Sequence, residues 1–404
     1  MKARGQRVVS RRSFVRDVAL GTAGALLLKS RSAPGESAAA PGTRPLRVGF
    51  IGVGGRGTSL LTDVLSIQDA QNVEVAAVCD INPSNLRRAQ RMVEQKSGKR
   101  PEGIGETPYD YRKLLSRADL DCVVIATPCY WHSTMYVDAV NAGKHFYGEK
   151  PLAITALGVK AVNDAYKSRP NVVVQIGFQW GADRRRADII RKVRDGLIGD
   201  LLEGRFHRFN GWDGQGGWYA DRTMSGDWML EQAVQEFNLI WWVTQANPVS
   251  CFATGRSGII PGRDTTNYYH AVLQYPEKHK SLVVHYGHGW VHVPDFPGEG
   301  LQAHFIGSKG ALDVMGAYAQ LRERPAGGQA RVQGEGPGGE TREHLANFFE
   351  CVRAGAPEKA NCGVANGTAA SIIGLMIRQS LEEKRVVTLE ETLSDTRKPP
   401  VPPA

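Results

Sequence analysis

Gly52-Val53-Gly54-Gly55-Arg56-Gly57 stands between an apolar run, Arg47-Val48-Gly49-Phe50-Ile51, and a stretch carrying Leu60, Leu61 and Leu65 at helical spacing. G-x-G-x-x-G between a strand and a helix is a pattern that receives a pyrophosphate. Gly52 allows the tight turn, Gly54 lets backbone approach the anion, and Gly57 permits close helix–strand packing; Gly55 and Arg56 complete the loop. The helix start offers unpaired N–H groups to the same anion. A second apolar run, Val73 to Cys79, ends in Asp80, 23 residues past Gly57. An acid there suits the ribose hydroxyls and repels a 2′-phosphate, which favours NAD; Arg87 and Arg88 keep NADP open.

These residues need a scaffold that lines up strand ends. A third strand is expected over 121–126, running into Thr127-Pro128. Trp131-His132 then opens a helix ending near Gly143, and a short strand, His145-Phe146-Tyr147, leads to Gly148-Glu149-Lys150-Pro151. Strands alternating with helices at this spacing predict a parallel, doubly wound Rossmann sheet over residues 46–168. Ligands of such sheets sit at the carboxyl ends of strands, where Thr127, Pro128 and Lys150 fall.

From 169 to 390 the pattern changes to runs of strands, expected at 249–256, 268–275, 281–292, 301–306 and 311–314, with a helix over about 184–195. This predicts an α+β domain with a large open sheet, so the fold class is mixed α/β. Gly327-Gly328 and Gly334 to Gly339 read as a surface loop. Helices follow over 341–353 and 364–383, then a strand at Val386-Val387 and a disordered tail over 391–404. All eight tryptophans lie between Trp131 and Trp290. Trp212, Trp218 and Trp228 are interleaved with Gly and Asp, and aromatic faces beside short polar groups suit a sugar; core packing is the competing reading.

Four segments in order, GFIGVGGRG, VCDINPSNLRRAQ, TPCYWHSTMYVDAVNAGKHFYGEKP and VVVQIGFQ, resemble the Gfo/Idh/MocA family of nicotinamide-dependent oxidoreductases. The resemblance covers residues 46–390. It implies that Lys150 sits beside the nicotinamide and bonds the oxygen being converted. It also implies a cis Lys150–Pro151 peptide, and a cofactor pocket lined by Thr127, Pro128, His132 and Glu149. The C-terminal helices would pack back on the first domain, and the open sheet would pair subunits into a dimer or tetramer.

The resemblance also places Glu231, Gln235 and Asn238 on the family's catalytic helix, where positions i, i+4 and i+7 share one face. The family commonly carries an acid, a His and an Asp there. This chain keeps the acid, but Gln235 replaces the His and Asn238 the Asp. Removing a hydride from an alcohol also releases a proton, and an imidazole with a pKa of about 6.5 suits that task. A glutamine amide orients a hydroxyl but does not titrate. Three readings follow. The base has moved, to Lys150, His132, His207 or Glu231; or Lys150 works alone with a lowered pKa; or dehydrogenase activity is lost.

The chain has 404 residues, 42% hydrophobic and 23% charged, with a net charge of +9. That composition excludes a wholly disordered chain and a polytopic membrane protein. Residues 1–40 hold eight basic and two acidic residues, so two-thirds of the excess lies in one short segment and the rest offers no electrostatic case for nucleic acid. That segment has a basic start ending in Arg11-Arg12-Ser13-Phe14, an apolar stretch Val18–Leu28 and small residues at Ala38-Ala39-Ala40. It resembles a twin-arginine export signal over 1–40, with 41–45 as linker; the apolar stretch is too short for a span of about 20 residues. A periplasmic or secreted destination follows, with no membrane association after export. The six cysteines are scattered and form no staple framework. His285, His288 and His292 lie in a strand-like run where 285 and 288 point opposite ways, and no metal motif is present.

The expected activity is oxidation of a sugar, sugar derivative or cyclitol with a tightly bound NAD. Two alternatives stand beside it. One is a redox-neutral glycosidase working by oxidation, elimination and reduction. The other is a non-catalytic sugar- or nucleotide-binding homologue.

Overall fold

The computed structural model describes residues 44–211, 216–280, 282–323, 328 and 330–400. The export segment 1–40 and Trp212 lie outside the described residues.

Six strands form the first sheet: β1 (Leu46–Ile51), β2 (Val73–Cys79), β3 (Glu102–Ile104), β4 (Cys122–Ile125), β5 (His145–Gly148) and β6 (Val174–Ile176). All pair in parallel, in the order β3-β2-β1-β4-β5-β6. The chain reverses its winding between β1 and β4, and a doubly wound sheet opens its ligand crevice at that switch. Central strands are buried on both faces, which is why Cys122–Ile125 reads as an uninterrupted apolar run.

One expectation is corrected here and one strand is added. The boundary at 169 cuts the first sheet too early, because β6 pairs with β5 after the crossover helix Ala156–Ser168. The short strand β3, with only Ile104 of its residues buried, has no hydrophobic run to betray it.

The second sheet has nine strands: β7 (Leu201–Phe209), β8 (Ser250–Ser257), β9 (Thr266–Gln274), β10 (Val283–Gly289), β11 (Gly300–Gly307), β12 (Gly310–Asp313), β13 (Tyr318–Leu321), β14 (Arg331–Gln333) and β15 (Val387–Thr388). Their order is β14-β13-β12-β11-β7-β10-β9-β8-β15. Among the described residues of this sheet only β10 and β7 pair in parallel. Strands β13 and β14 stand where sequence gave no strand, and β14 lies within the glycine-rich stretch. Short edge strands of polar residues, such as Arg331-Val332-Gln333, have little periodicity to read.

The helix Thr341–Ala354 lies against the first domain: Arg342 reaches Asp63, and Arg353 donates to the carbonyls of Gln71 and Asn72. The tail is ordered further than expected. Leu389–Leu393 is a helix capped by Thr388, Thr392 is buried, and Arg397 pairs with Glu382 and Asp395. All six cysteines are buried free thiols. Among the described residues no helix is long and apolar enough to cross a membrane.

Candidate active site

A cleft of about 770 Å³ opens over the carboxyl ends of β1, β2, β4 and β5 and continues to the second domain. The glycine loop forms its floor. Gly52 has φ +81°, and a Cβ there would lie 2.7 Å from the Ala126 carbonyl; a Cβ on Gly57 would lie 2.0 Å from the Gly52 carbonyl. These two glycines are demanded by packing. Gly54 and Gly55 differ, since a Cβ on Gly55 would meet nothing within 4 Å and one on Gly54 only Asn85 Nδ2 at 3.8 Å. The loop therefore presents bare backbone to the cleft where the helix Gly55–Gln71 begins, a cradle that fits a pyrophosphate.

Asp80 closes the other side. One carboxylate oxygen accepts from Val53 N at 2.8 Å and the other from Asn82 N at 2.8 Å. Arg88 is spent on the loop, donating to Val53 O and Thr58 Oγ1, while Arg87 is exposed. An acid at the ribose position, with no arginine turned toward it, fits NAD.

Lys150 lines this cleft, just after β5. The Lys150–Pro151 peptide is cis. Lys150 Nζ donates to Glu231 Oε1 at 2.8 Å and to the Glu231 carbonyl. Burial opposes the ammonium, but the facing Glu231 carboxylate, with Cys129 and Glu149 beyond it, more than offsets this and raises its pKa. Lys150 is thus a fixed cation, and the reading in which it works alone with a lowered pKa does not match its surroundings. Glu149 turns the other way and accepts from Arg56 Nε at 2.6 Å, so the glycine loop and the lysine turn are cross-linked by an ion pair. One nitrogen of Arg56, Nη2, is buried without a partner.

His132 is almost fully buried. Its Nδ1 lies 2.7 Å from the Pro151 carbonyl and its Nε2 2.9 Å from the Thr127 carbonyl. Burial lowers its pKa. Both nitrogens lie against backbone at the strand ends, and the residue also lines the cleft. Thr127 and Pro128 line the cleft beside it.

The expected single catalytic helix is two helices, Trp228–Glu231 and Val234–Thr244. Glu231 ends the first and Gln235 lies in the first turn of the second, and both line the cleft. Gln235 Nε2 donates to the Gly177 carbonyl at 3.2 Å and to Gln179 Oε1 at 2.8 Å. A carbonyl only accepts, so the amide nitrogen must face Gly177. That leaves Gln235 Oε1, which is buried and unpartnered, as a free acceptor at the cleft wall. Asn238 is not brought there. It accepts from Asn366 Nδ2 at 2.8 Å and its own amide faces Cys362, away from the cleft. The break in the helix is the reason, since i+7 no longer shares a face with i.

The helix Trp228–Glu231 begins at Asp227, which has φ +73° and ψ 169°, a conformation that costs a non-glycine residue about 1–3 kcal/mol.

The tryptophans divide. Trp218 stacks on Tyr219 at 3.8 Å between ring centroids, and both line the cleft. Trp228 is 1% exposed and packs on Trp290, so it belongs to the core. His207 stacks on Phe209 among His270, His292 and His304 and is not among the cleft-lining residues.

Sequence reasoning missed Tyr219 and Gln179. Burial, followed by the negative charge of Glu231, pushes the Tyr219 hydroxyl up to about 12. Its adjacency to Trp218 was the available signal. Gln179 ends the VVVQIGFQ segment and could have been read there.

Residues 46–178 match the oxidoreductase family's NAD-binding Rossmann fold, and residues 187–313 match the GFO/IDH/MocA C-terminal domain. A glycosyl hydrolase family 109 protein of Shewanella pealeana is 31% identical over 210 residues, 48% of this chain and 45% of that protein. An α-N-acetylgalactosaminidase of Shewanella oneidensis is 34% identical over 166 residues, 41% of this chain and 35% of its own length. The chain thus spans less than half the length of these relatives. Among solved structures, a levoglucosan dehydrogenase complexed with NADH and levoglucosan superposes with a TM-score of 0.70 at 18% identity, covering 86% of this chain and 100% of the other. An apo scyllo-inositol dehydrogenase from Lactobacillus casei gives 0.65 at 20% identity, covering 86% and 98%. At these identities the likeness establishes a shared fold.

Proposed function

The chain belongs to the Gfo/Idh/MocA oxidoreductase family, and from that premise we propose that it is an NAD-dependent oxidoreductase of a sugar, sugar derivative or cyclitol, with Lys150 and Glu231 as its acid–base pair. The observation that carries the reading is the Lys150–Glu231 contact in the same cleft as the glycine loop and Asp80.

Bound NAD supplies a reversible two-electron oxidation of a carbinol carbon. The protein's own residues manage the proton. Lys150 donates a hydrogen bond to the reacting oxygen and stabilises negative charge there as the hydroxyl proton leaves. That proton passes to Nζ while Nζ returns one to Glu231 Oε1, so the ammonium is regenerated and the carboxyl carries the proton. Gln235 Oε1 accepts from a neighbouring hydroxyl and fixes which carbon is presented. Trp218 and Tyr219 offer a stacked aromatic wall for the sugar's C–H face.

A second reading is favoured by the relatives named as glycosidases. Oxidation of the sugar acidifies a neighbouring C–H, elimination of the protonated aglycone breaks the glycosidic bond, water adds back across the resulting C=C, and reversal of the oxidation leaves no net redox change. The same pair would serve, with Glu231 as proton carrier.

Export by the twin-arginine route is part of the proposal, supported by Arg11-Arg12 and the apolar run after them. Replacing both arginines with lysine is expected to strand the protein in the cytoplasm; unchanged fractionation would refute the route. Pairing of two copies through the open sheet is also proposed, supported by Phe252 and Val272. These are directly opposed on β8 and β9, with 44% and 40% exposure. Light scattering on Phe252→Glu is expected to show a smaller species, and an unchanged mass would refute this interface.

The test is purification without added nucleotide, identification of any cofactor released on denaturation, and mixing of the NAD-loaded protein with sugars and glycosides. Net cofactor reduction by a sugar supports the first reading. Glycoside release with no net redox change supports the second. Full occupancy with neither outcome overturns both.

A further inference from the structure

The helix that carries Glu231 is one turn long and cannot hold itself in place, since isolated turns are unstable. Its anchor is Asp227. That residue sits in a backbone region left almost entirely to glycine. A glycine at 227 would adopt the conformation without strain, yet the chain has an aspartate, and all of its acceptors are in use. One carboxylate oxygen accepts from Trp228 N at 2.8 Å and Thr266 N at 2.9 Å. The other accepts from Thr266 Oγ1 at 2.7 Å, with Arg222 at 3.4 Å. The Asp227 carbonyl accepts from Leu230 N and Glu231 N. Asp227 is 1% exposed. Thr266 begins β9 in the second sheet. An unbroken line of bonds therefore runs from β9 through Asp227 to Glu231, whose carbonyl and carboxylate both receive Lys150.

We propose that Asp227 is a positioning residue: it ties the Glu231 helix to β9 and thereby fixes where the Lys150 ammonium is held. The proposal rests on the reading of Lys150 and Glu231 as the reacting pair, and its test includes an arm that does not need turnover.

The full chain would be made as Asp227→Gly, Asp227→Asn and Thr266→Val, with Glu231→Gln as reference. Three quantities are measured: NAD affinity, kcat and KM for a sugar that the wild type oxidises, and the pH midpoint of Lys150 acylation followed by peptide mass spectrometry. Asp227→Gly removes the side-chain ties while relieving the backbone. It should leave NAD affinity unchanged, lower kcat by roughly 10- to 100-fold with a smaller change in KM, and move the Lys150 midpoint down toward that of Glu231→Gln. Glu149 and Cys129, which also face the lysine, are untouched by these changes. Asp227→Asn keeps an acceptor for Trp228 and Thr266 and should recover most of both quantities. Thr266→Val keeps the side-chain volume, loses one bond, and should move the midpoint in the same direction by less. A wild-type Lys150 midpoint in Asp227→Gly, or in Thr266→Val should the glycine variant fail to fold, overturns the proposal. If the wild type oxidises no sugar, the functional reading fails while the labelling arm still decides the positioning role.

Discussion

Lys150 Nζ and Glu231 Oε1 meet at 2.8 Å across 81 residues of chain, one supplied by the turn after β5 and the other by a one-turn helix of the second domain. Neither domain contains the pair alone. The cation is largely buried beside its counter-charge, and the carboxylate holds the lysine's pKa up.

Glu231→Gln should leave NAD bound and lower kcat on the order of 10²- to 10⁴-fold, because the proton acceptor is gone. The pH dependence has a definite sign. Without the carboxylate, the largest opposition to burial at Lys150 is gone and its pKa falls from its raised value. The alkaline limb of any residual activity should therefore move to lower pH. An unmoved limb would separate the lysine from the glutamate.

Gln235→His should not raise kcat above wild type, since proton acceptance is assigned to Glu231 and the amide is held by Gly177 and Gln179. Steady-state kinetics on the best sugar substrate check this. A tenfold or greater rise would mean that the site lacks a base and that glutamine is a loss of function.

Asp80→Ser should shift preference toward NADP over NAD by roughly 10- to 100-fold, the worth of about 1.4–2.8 kcal/mol. The carboxylate that accepts from Val53 and repels a 2′-phosphate is then absent. Paired dissociation constants for the two cofactors decide it, and an unchanged ratio would place the ribose elsewhere.

Acid should destabilise the fold through two buried histidines. Burial lowers His288 to about 3 and His344 to about 4, while an unfolded histidine titrates near 6.5. Between those values the unfolded state binds the extra protons, so stability falls as pH drops from about 6.5 toward 4. The slope approaches about 1.4 kcal/mol per pH unit for each histidine. Denaturant melts of His288→Phe across this range should show a shallower slope; an identical slope would contradict the assignment.

Much of the cofactor half was legible because its constraints are local. Gly57 is required by the Gly52 carbonyl of the same strand–loop–helix, Gly52 turns the loop at a positive φ against the Ala126 carbonyl after β4, and Asp80 follows its strand directly. The parallel strands announce themselves as apolar runs. The substrate half was less legible. Whether Glu231, Gln235 and Asn238 share a face depends on a helix break at Gln232–Ala233, and no proline or glycine marks that break. Trp228 and Trp218 look alike in sequence, and only tertiary packing sends one to the core and the other to the cleft. His132 carries the residue type of a base, but its two backbone carbonyl partners come from separate segments.

The most direct measurement is a single-turnover mix of NAD-loaded protein with an oxidisable sugar, following near-ultraviolet absorbance of the reduced nicotinamide, for wild type and Lys150→Met at matched cofactor occupancy. The Lys150–Glu231 account predicts a rapid rise for wild type and a rate lower on the order of 10²- to 10³-fold for Lys150→Met. A Lys150→Met protein that reduces its cofactor at the wild-type rate would contradict it.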